Sequence, residues 1–137
     1  MRNWLISIFL FLVIGGCSKS NDVSPDNQQQ ENAVEDASYF VKYACDGLNN
    51  LRYDASYIDT EGQSVVLRNI SGDNFERTVG PVKKGFKANF SIKNETTASG
   101  AQIAIRIEVK KGSDPFVVRS EAVGYIRNGT SVEYSIE

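Results

Sequence analysis

Few residues in this sequence could carry out chemistry, and histidine is not among them. The 137 residues contain no histidine, so the usual general base and the commonest metal ligand are both missing. The two cysteines, Cys17 and Cys45, are too few for a four-cysteine zinc site or a framework of several disulfides. No serine or threonine lies in a nucleophile-elbow pattern, and no glycine-rich segment has the spacing of a phosphate loop. The sequence therefore predicts a protein that is not an enzyme, without catalytic residues, metal or cofactor.

The remaining candidates for a chemical site are carboxylates at or near turn sequences. A cluster of them could form a carboxylate site, but separate, solvated turn acids are commoner and are what we expect. The segment Asp59–Gly62 is too short for a calcium loop of the twelve-residue type. The acids concerned are Asp46, Asp54, Asp59, Glu61 and Asp73.

The N-terminal segment has the pattern of a secretory signal. One arginine in Met1–Asn3 precedes the apolar run Trp4–Ile14, in which only Ser7 is polar, and two glycines follow. Eleven helical residues rise only about 16 Å, which is too short for roughly 30 Å of hydrocarbon, so a permanent membrane span is not expected. We predict that residues 1–16 are a signal peptide that is removed.

The end of this signal, Ile14-Gly15-Gly16-Cys17, resembles the lipobox of bacterial lipoproteins. The resemblance implies that the Cys17 thiol forms a thioether to a diacylglyceryl group and that the freed amine is acylated. Two or three acyl chains hold a protein firmly on a bilayer, whereas one chain does not. The expected location is therefore the cell envelope, on a membrane and most simply the outer membrane, facing the periplasm or the cell surface. An ordinary signal peptide with a chance cysteine is the alternative.

Residues 17–38 are predicted to be the lipidated cysteine and a flexible polar tether. Ser18–Ser38 contains no aromatic residue and carries five acids against one lysine, so it cannot bury enough surface to fold alone. As a flexible coil it would span about 25 Å root-mean-square. A short helix near its end is the alternative. From Tyr39 onward, 13 bases and 12 acids are interspersed, a pattern that does not favour nucleic-acid binding.

Residues 39–137 show the period of two that is typical of half-buried β-strands. The clearest strand alternates Ile103, Ile105 and Ile107 with polar residues, and another places Val41, Tyr43 and Cys45 on one face. Cys45 is therefore expected to be a buried, inert thiol, with a reactive thiol or an intermolecular disulfide as the alternative. Most tyrosines fall on the same inward faces. The large apolar residues that clearly fall outside are Phe40 and Ile58.

Seven or eight short strands and no convincing helix predict an all-β fold, namely a single antiparallel β-sandwich of the immunoglobulin-like kind. A small antiparallel β-barrel is the alternative, because alternation alone does not distinguish closure from two stacked sheets. Asn128-Gly129 lies between two predicted strands and suits a tight type I′ hairpin.

The order of motifs in this domain resembles the β-sandwich of MmpS-type proteins, which are transport accessory proteins of the bacterial envelope. The matching stretches are Tyr39–Gly47, Ala55–Gly62 and Gln102–Lys110. The resemblance implies the same two-sheet fold and a transport-accessory role, and it carries over no functional residue.

Two classes of function fit these features. The first is a non-catalytic interaction or transport-accessory domain, anchored through Cys17, that binds another envelope protein. The alternative is a surface-displayed glycan- or ligand-binding module, whose ligand-binding residues the sequence does not identify. An exposed aromatic row or a deep pocket would favour the alternative.

Overall fold

The computed structural model describes residues 37–94 and 100–137, and within them the fold is all-β. The strands are β1 (Tyr39–Asp46), β2 (Arg52–Ile58), β3 (Ser64–Ser71), β4 (Phe75–Val82), β5 (Lys87–Lys93), β6 (Gln102–Lys111), β7 (Val117–Tyr125) and β8 (Thr130–Ser135). A single turn of 3₁₀ helix, Ile126–Asn128, connects β7 to β8. None of the described residues forms a helix that is long and apolar enough to cross a membrane.

The eight strands form two four-stranded antiparallel sheets. Sheet A has the order β4-β1-β6-β7 and sheet B the order β3-β2-β5-β8. The β2–β3 and β6–β7 connections stay within one sheet, and every other connection crosses to the opposite sheet. Each sheet keeps two edge strands, so the predicted sandwich is confirmed and the barrel alternative is wrong.

The predicted inward faces form the core. Ile103, Ile105 and Ile107 of β6 are buried and pack with Val41 and Tyr43 of β1 in one apolar cluster. Burying an aliphatic side chain of this size contributes about 1.5–3 kcal/mol, so the alternating strands supply most of the driving force for folding. The alternation read from the sequence thus identified the buried side of both strands correctly.

Aromatic rings fill the middle of the core. The ring of Tyr43 lies 5.5 Å from that of Tyr57 and 5.6 Å from that of Phe90, and Phe90 stacks on Phe75 at 5.4 Å between centroids. The Tyr43 hydroxyl donates a hydrogen bond of 2.9 Å to the carbonyl of Ile58, which satisfies its one buried polar atom. Burial raises the pKa of this hydroxyl well above its usual value. The predicted packing of these tyrosines in the core is confirmed.

The predicted hairpin at Asn128-Gly129 is wrong. The chain there leaves β7 in sheet A and enters β8 in sheet B, so the two strands are not hairpin partners. Ile126 is fully buried, its N–H donates to the carbonyl of Ala101, and its own carbonyl accepts from the N–H groups of Asn94 and Gly129. Burial of Ile126 therefore draws the chain across the sandwich, which the local Asn-Gly signal does not reveal.

The two sheets approach closely where β7 passes β8. A Cβ atom built on Gly124 of β7 would lie 2.3 Å from the Thr130 Oγ1 of β8. Only glycine permits this approach. Thr130 is buried, and its hydroxyl has no hydrogen-bond partner among the described residues.

Candidate functional site

The predicted lipidation site lies outside the described residues. Cys17, the signal peptide 1–16 and the tether as far as residue 36 precede the first described residue, Ala37. They remain predictions from the sequence. The structure describes the domain that the tether would carry.

The acids of the predicted turns do not converge on one site. Asp59 Oδ1 accepts hydrogen bonds from the N–H groups of Glu61 and Gln63, both at 2.9 Å, and so stabilises the β2–β3 turn. Asp54 Oδ1 accepts the N–H of Asn69 at 2.8 Å, whereas Asp46 pairs with a different partner on the other sheet. Within residues 37–94 and 100–137, no group of three or more His, Cys, Asp and Glu side chains is placed to hold a metal.

Cys45 is a buried thiol in the centre of the core. It is fully buried in β1, and burial raises the pKa of its thiol to about 12. A thiol needs its thiolate form to act as a nucleophile. The prediction of a buried strand cysteine is confirmed, and its surroundings suppress thiolate chemistry.

Four charged side chains form a continuous row across the outer face of sheet A, which we call the charged ladder. Lys42 Nζ lies 2.7 Å from Glu108 Oε2, and Arg106 Nε donates to Glu108 Oε1, also at 2.7 Å. The Arg106 guanidinium also pairs with the Asp46 carboxylate. The sequence places Lys42 and Asp46 on one outer face, but it does not show that β1 and β6 align Lys42 directly with Glu108.

Three members of the charged ladder are partly shielded from water, whereas the side chain of Asp46 is 51% exposed. The side chain of Glu108 is only 10% exposed. Burial by itself would raise the pKa of Glu108, but hydrogen bonds from Lys42 and Arg106 outweigh it and hold the pKa below the ordinary value. The hydrogen bonds to Asp46 and Glu108 raise the pKa of Arg106, so Arg106 and Glu108 both stay charged. Ala44, the register partner of Arg106, is fully buried on this same face.

Two lysines and two phenylalanines lie beside the charged ladder, near the start of β1. The ammonium groups of Lys42 and Lys110 lie 5.0 and 5.2 Å from the centroid of the Phe116 ring. Lys110 also lies 5.0 Å from the centroid of Phe40. These distances are those of cation–π contacts, which hold apolar rings at a charged surface.

Exposed apolar side chains concentrate on one edge strand. Val123 and Tyr125 of β7 are 65% and 51% exposed, and Val117 and Val118 of the same strand are exposed as well. Among the described residues, the only other exposed large apolar side chain is Val66 of β3. Phe40 and Ile58, which alternation places on the outer faces, are half-buried, and the expectation that no other large apolar residue clearly falls outside is wrong, because these five side chains are more exposed. The valine content of Val117–Tyr125 is the one local signal of the β7 surface, and no local pattern shows that this strand lies at an edge.

An open depression of about 640 Å³ lies on the opposite side of the molecule. Its lining comes from β5, β8 and the β2–β3 turn and includes Lys87, Asn89, Glu133 and the half-buried Tyr134. A carboxylate, an amide and an aromatic ring are groups that can bind a polar ligand. This depression is the structural counterpart of the ligand-binding alternative.

Comparison with known proteins adds no family to these findings. The sequence matches no family model, and no curated protein is significantly similar to it. The resemblance to MmpS-type domains therefore remains an interpretation of short sequence motifs.

Proposed function

We propose that this protein is a bacterial envelope lipoprotein, anchored to a membrane through acylated Cys17, whose sandwich is a non-catalytic domain that binds another envelope protein. The lipobox-like segment at Ile14–Cys17 supports the anchor. The transport-accessory role suggested by the MmpS-like motifs is one form of this function.

The observation that carries the binding role is the contrast in apolar exposure between the sheets. Four of the five exposed large apolar side chains of the described residues belong to β7 of sheet A. Contiguous exposed apolar surface on a soluble domain marks interaction sites. The charged ladder and the rings of Phe40 and Phe116 border this surface with ordered polar and aromatic groups, which are the components of protein interfaces.

The charge of the domain fits a protein partner better than nucleic acid. Its bases and acids nearly balance, and the cations of the charged ladder are each matched by a carboxylate on the same face. Nucleic-acid binding requires an excess of unmatched positive charge along one surface. We expect no nucleic-acid partner.

Site-specific photo-crosslinking in intact cells tests the binding role. A photoreactive residue replaces Gln102, which is exposed at the start of β6 beside Tyr125, and Asn89, an exposed amide on sheet B, serves as the matched control. We expect adducts with a different envelope protein from position 102 and not from position 89. Equal yields from both positions, or no protein adduct from 102, would contradict the proposal.

Replacement of Cys17 tests the anchor separately. The variant Cys17→Ser lacks the sulfur that a thioether requires, so the chain should be released into soluble fractions or remain unprocessed. Membrane retention of a processed Cys17→Ser protein would exclude lipidation as the anchor.

The depression on sheet B supports one alternative, a glycan- or ligand-binding module. If it binds a polar ligand, the full chain should be retained specifically by immobilised glycans, and Glu133→Ala should abolish that retention. Such retention, together with a failure of the crosslinks at position 102, would favour this alternative.

A further inference from the structure

We propose that β7 pairs with β7 of a second copy of this chain, antiparallel and centred on Ser120, so that sheet A continues from one copy into the next. The strand is nine residues long and forms the outer edge of sheet A, beyond its ladder with β6. An edge strand presents unpaired N–H and C=O groups, and long edges with apolar side chains are templates for pairing with another chain. This proposal goes beyond the binding of a different envelope protein and does not depend on it.

The other three edge strands are less suited to pairing. Pro81 lies near the end of β4 and has no N–H to donate. β3 is interrupted at Asn69, which has a left-handed backbone with φ of 52°. β8 is only six residues long. β7 contains no proline and is the longest of the four edges.

The charges of β7 indicate which residues would pair, and they indicate that the pairing strand is β7 of a second copy. Arg119 and Glu121 are both exposed and lie on either side of Ser120. With Ser120 opposite Ser120 of the second copy, each Arg119 faces the Glu121 of the other copy. A two-fold axis forms each contact twice, as in isologous dimers.

Neighbouring registers lack this complementarity. Centring the pair on Glu121 would bring two carboxylates together, and centring it on Arg119 would bring two guanidinium groups together. Like charges directly opposite one another destabilise a strand pair, whereas opposite charges stabilise it. Centring on Val123 leaves Arg119 without a carboxylate opposite it. The register centred on Ser120 pairs both charges, so the strand is complementary to itself.

The ladder between β6 and β7 is interrupted within the segment that would pair. Arg119 is the one residue of β7 between Val117 and Tyr125 that has no register partner in β6, because the register shifts between Ile107 and Glu108. The Arg119 side chain is exposed at the edge of the sheet. Farther along, the Gly124 region is occupied by β8, which leaves the first two thirds of the edge for a second copy.

A charge-reversal series on the full mature chain tests the proposal. We expect the unmodified chain to sediment as a monomer–dimer equilibrium in density-matched detergent, and Arg119→Glu or Glu121→Arg to weaken the dimer by about tenfold or more, because each puts like charges opposite one another twice. The double variant Arg119→Glu/Glu121→Arg should restore the dimer. The matched control Glu133→Arg reverses an exposed acid on β8, another edge strand, and should leave the equilibrium unchanged.

Disulfide trapping in membranes provides a second measurement that does not depend on sedimentation. The thiol of Ser120→Cys lies on the two-fold axis, so a mild oxidant should link two copies through it, whereas Ser131→Cys on β8 should not form the link. Cys45 is fully buried and does not compete. A monomeric unmodified chain, or single and double charge variants that behave alike, would overturn the proposal.

Failure of this proposal and failure of the proposed function are distinguishable. A second copy gives adducts and disulfides at twice the mass of this chain, whereas a different envelope protein gives adducts of another mass at position 102. Loss of the charge-dependent dimer with retention of the latter adducts would overturn the β7 pairing alone.

Discussion

The ion pairs on the outer faces of the two sheets differ in length and in exposure to water. On sheet A, Glu108 makes ion pairs of 2.7 Å with both Lys42 and Arg106, and its side chain is 10% exposed. On sheet B, the corresponding pair of Asp54 and Arg68 is 3.5 Å long, and the arginine side chain is 75% exposed. Exposed pairs contribute about 0–1 kcal/mol, whereas removing one member of a shielded pair leaves a costly unpaired charge. The short ion pairs of Glu108 therefore stabilise the outer face of sheet A, whereas the longer Asp54–Arg68 pair contributes little on the outer face of sheet B.

Polar pairing on sheet B is local and modest. The hydroxyls of Ser56 and Ser91 lie 2.8 Å apart across β2 and β5. Neither residue is charged, so this contact is a neutral hydrogen bond and not an ion pair. The comparison indicates that substitutions of the same chemical kind should have different effects on the two faces.

The largest loss in the free energy of unfolding is expected for a charge placed in the core between the sheets. Ile105→Asp places a carboxylate at a position that is 1% exposed, in the most regular strand of the molecule. An unpaired buried charge of this kind should destabilise the domain by about 4 kcal/mol or more. Chemical denaturation followed by circular dichroism measures it, and a loss below that of the surface variants described next would contradict the assigned core.

Glu108→Ala should have the largest effect of any substitution on an outer face. It leaves Lys42 without its carboxylate and removes one of the two partners of Arg106, and we expect a loss of roughly 2–3 kcal/mol in the free energy of unfolding. The matched comparison is Glu121→Ala, an exposed acid on the neighbouring strand, which should change the stability of the monomer little.

The same residue gives the stability of the domain a pH dependence. The folded-state pKa of Glu108 lies below its ordinary value of 4.5, so its contribution is complete above that value and is lost as the pH falls through the folded-state pKa. Unfolding measured from pH 7 down to pH 3 should show this acid loss, and Glu108→Ala should reduce its steepness. An unchanged pH profile in the variant would show that other acids account for it.

A side chain at position 124 should destabilise the contact between β7 and β8. Gly124→Ala forces its new methyl group against Thr130, and we expect a loss of about 1–3 kcal/mol. Thr130→Ala removes the opposing atoms and a hydroxyl that has no partner in the described structure, so the double variant should recover most of the loss. A double-mutant cycle measures this coupling, and additive effects would show that the two residues do not oppose each other.

The smallest expected effect is on sheet B. Arg68→Ala removes the exposed member of the Asp54 pair and should change the free energy of unfolding by at most about 0.5 kcal/mol. If Arg68→Ala costs as much as Glu108→Ala, the two faces do not differ in the way the geometry indicates.

The sequence predicted the faces of the strands better than it predicted their neighbours. The alternation of Ile103, Ile105 and Ile107 identified the core because the side-chain period of a strand is a local property. The alignment of Lys42 with Glu108 depends on the register of β1 and β6, which are distant in sequence. Alternation therefore placed Glu108 on the outer face but gave no sign that two cations shield it there.

Two further differences between the sequence predictions and the structure also arise from contacts between residues that are distant in sequence. The apolar β7 edge was not predicted, because no local pattern tells which strand lies at the end of a sheet. Asn128-Gly129 carries a sound local signal for a hairpin, but burial of Ile126 sends the chain to the other sheet. Lipidation of Cys17, by contrast, stays a prediction from a contiguous lipobox-like segment, which lies outside the described residues.

The central position of β1 determines how the domain carries mechanical load. Any pull on the residues that precede Tyr39 enters the fold through this strand, which is paired along its length with β4 on one side and β6 on the other. Force along the strand loads both ladders in shear, so many hydrogen bonds bear it together instead of opening one after another. A domain attached through an edge strand would peel open at a lower force. A sandwich that is pulled through its N-terminal strand thus keeps its two sheets intact under a load that would separate an edge strand.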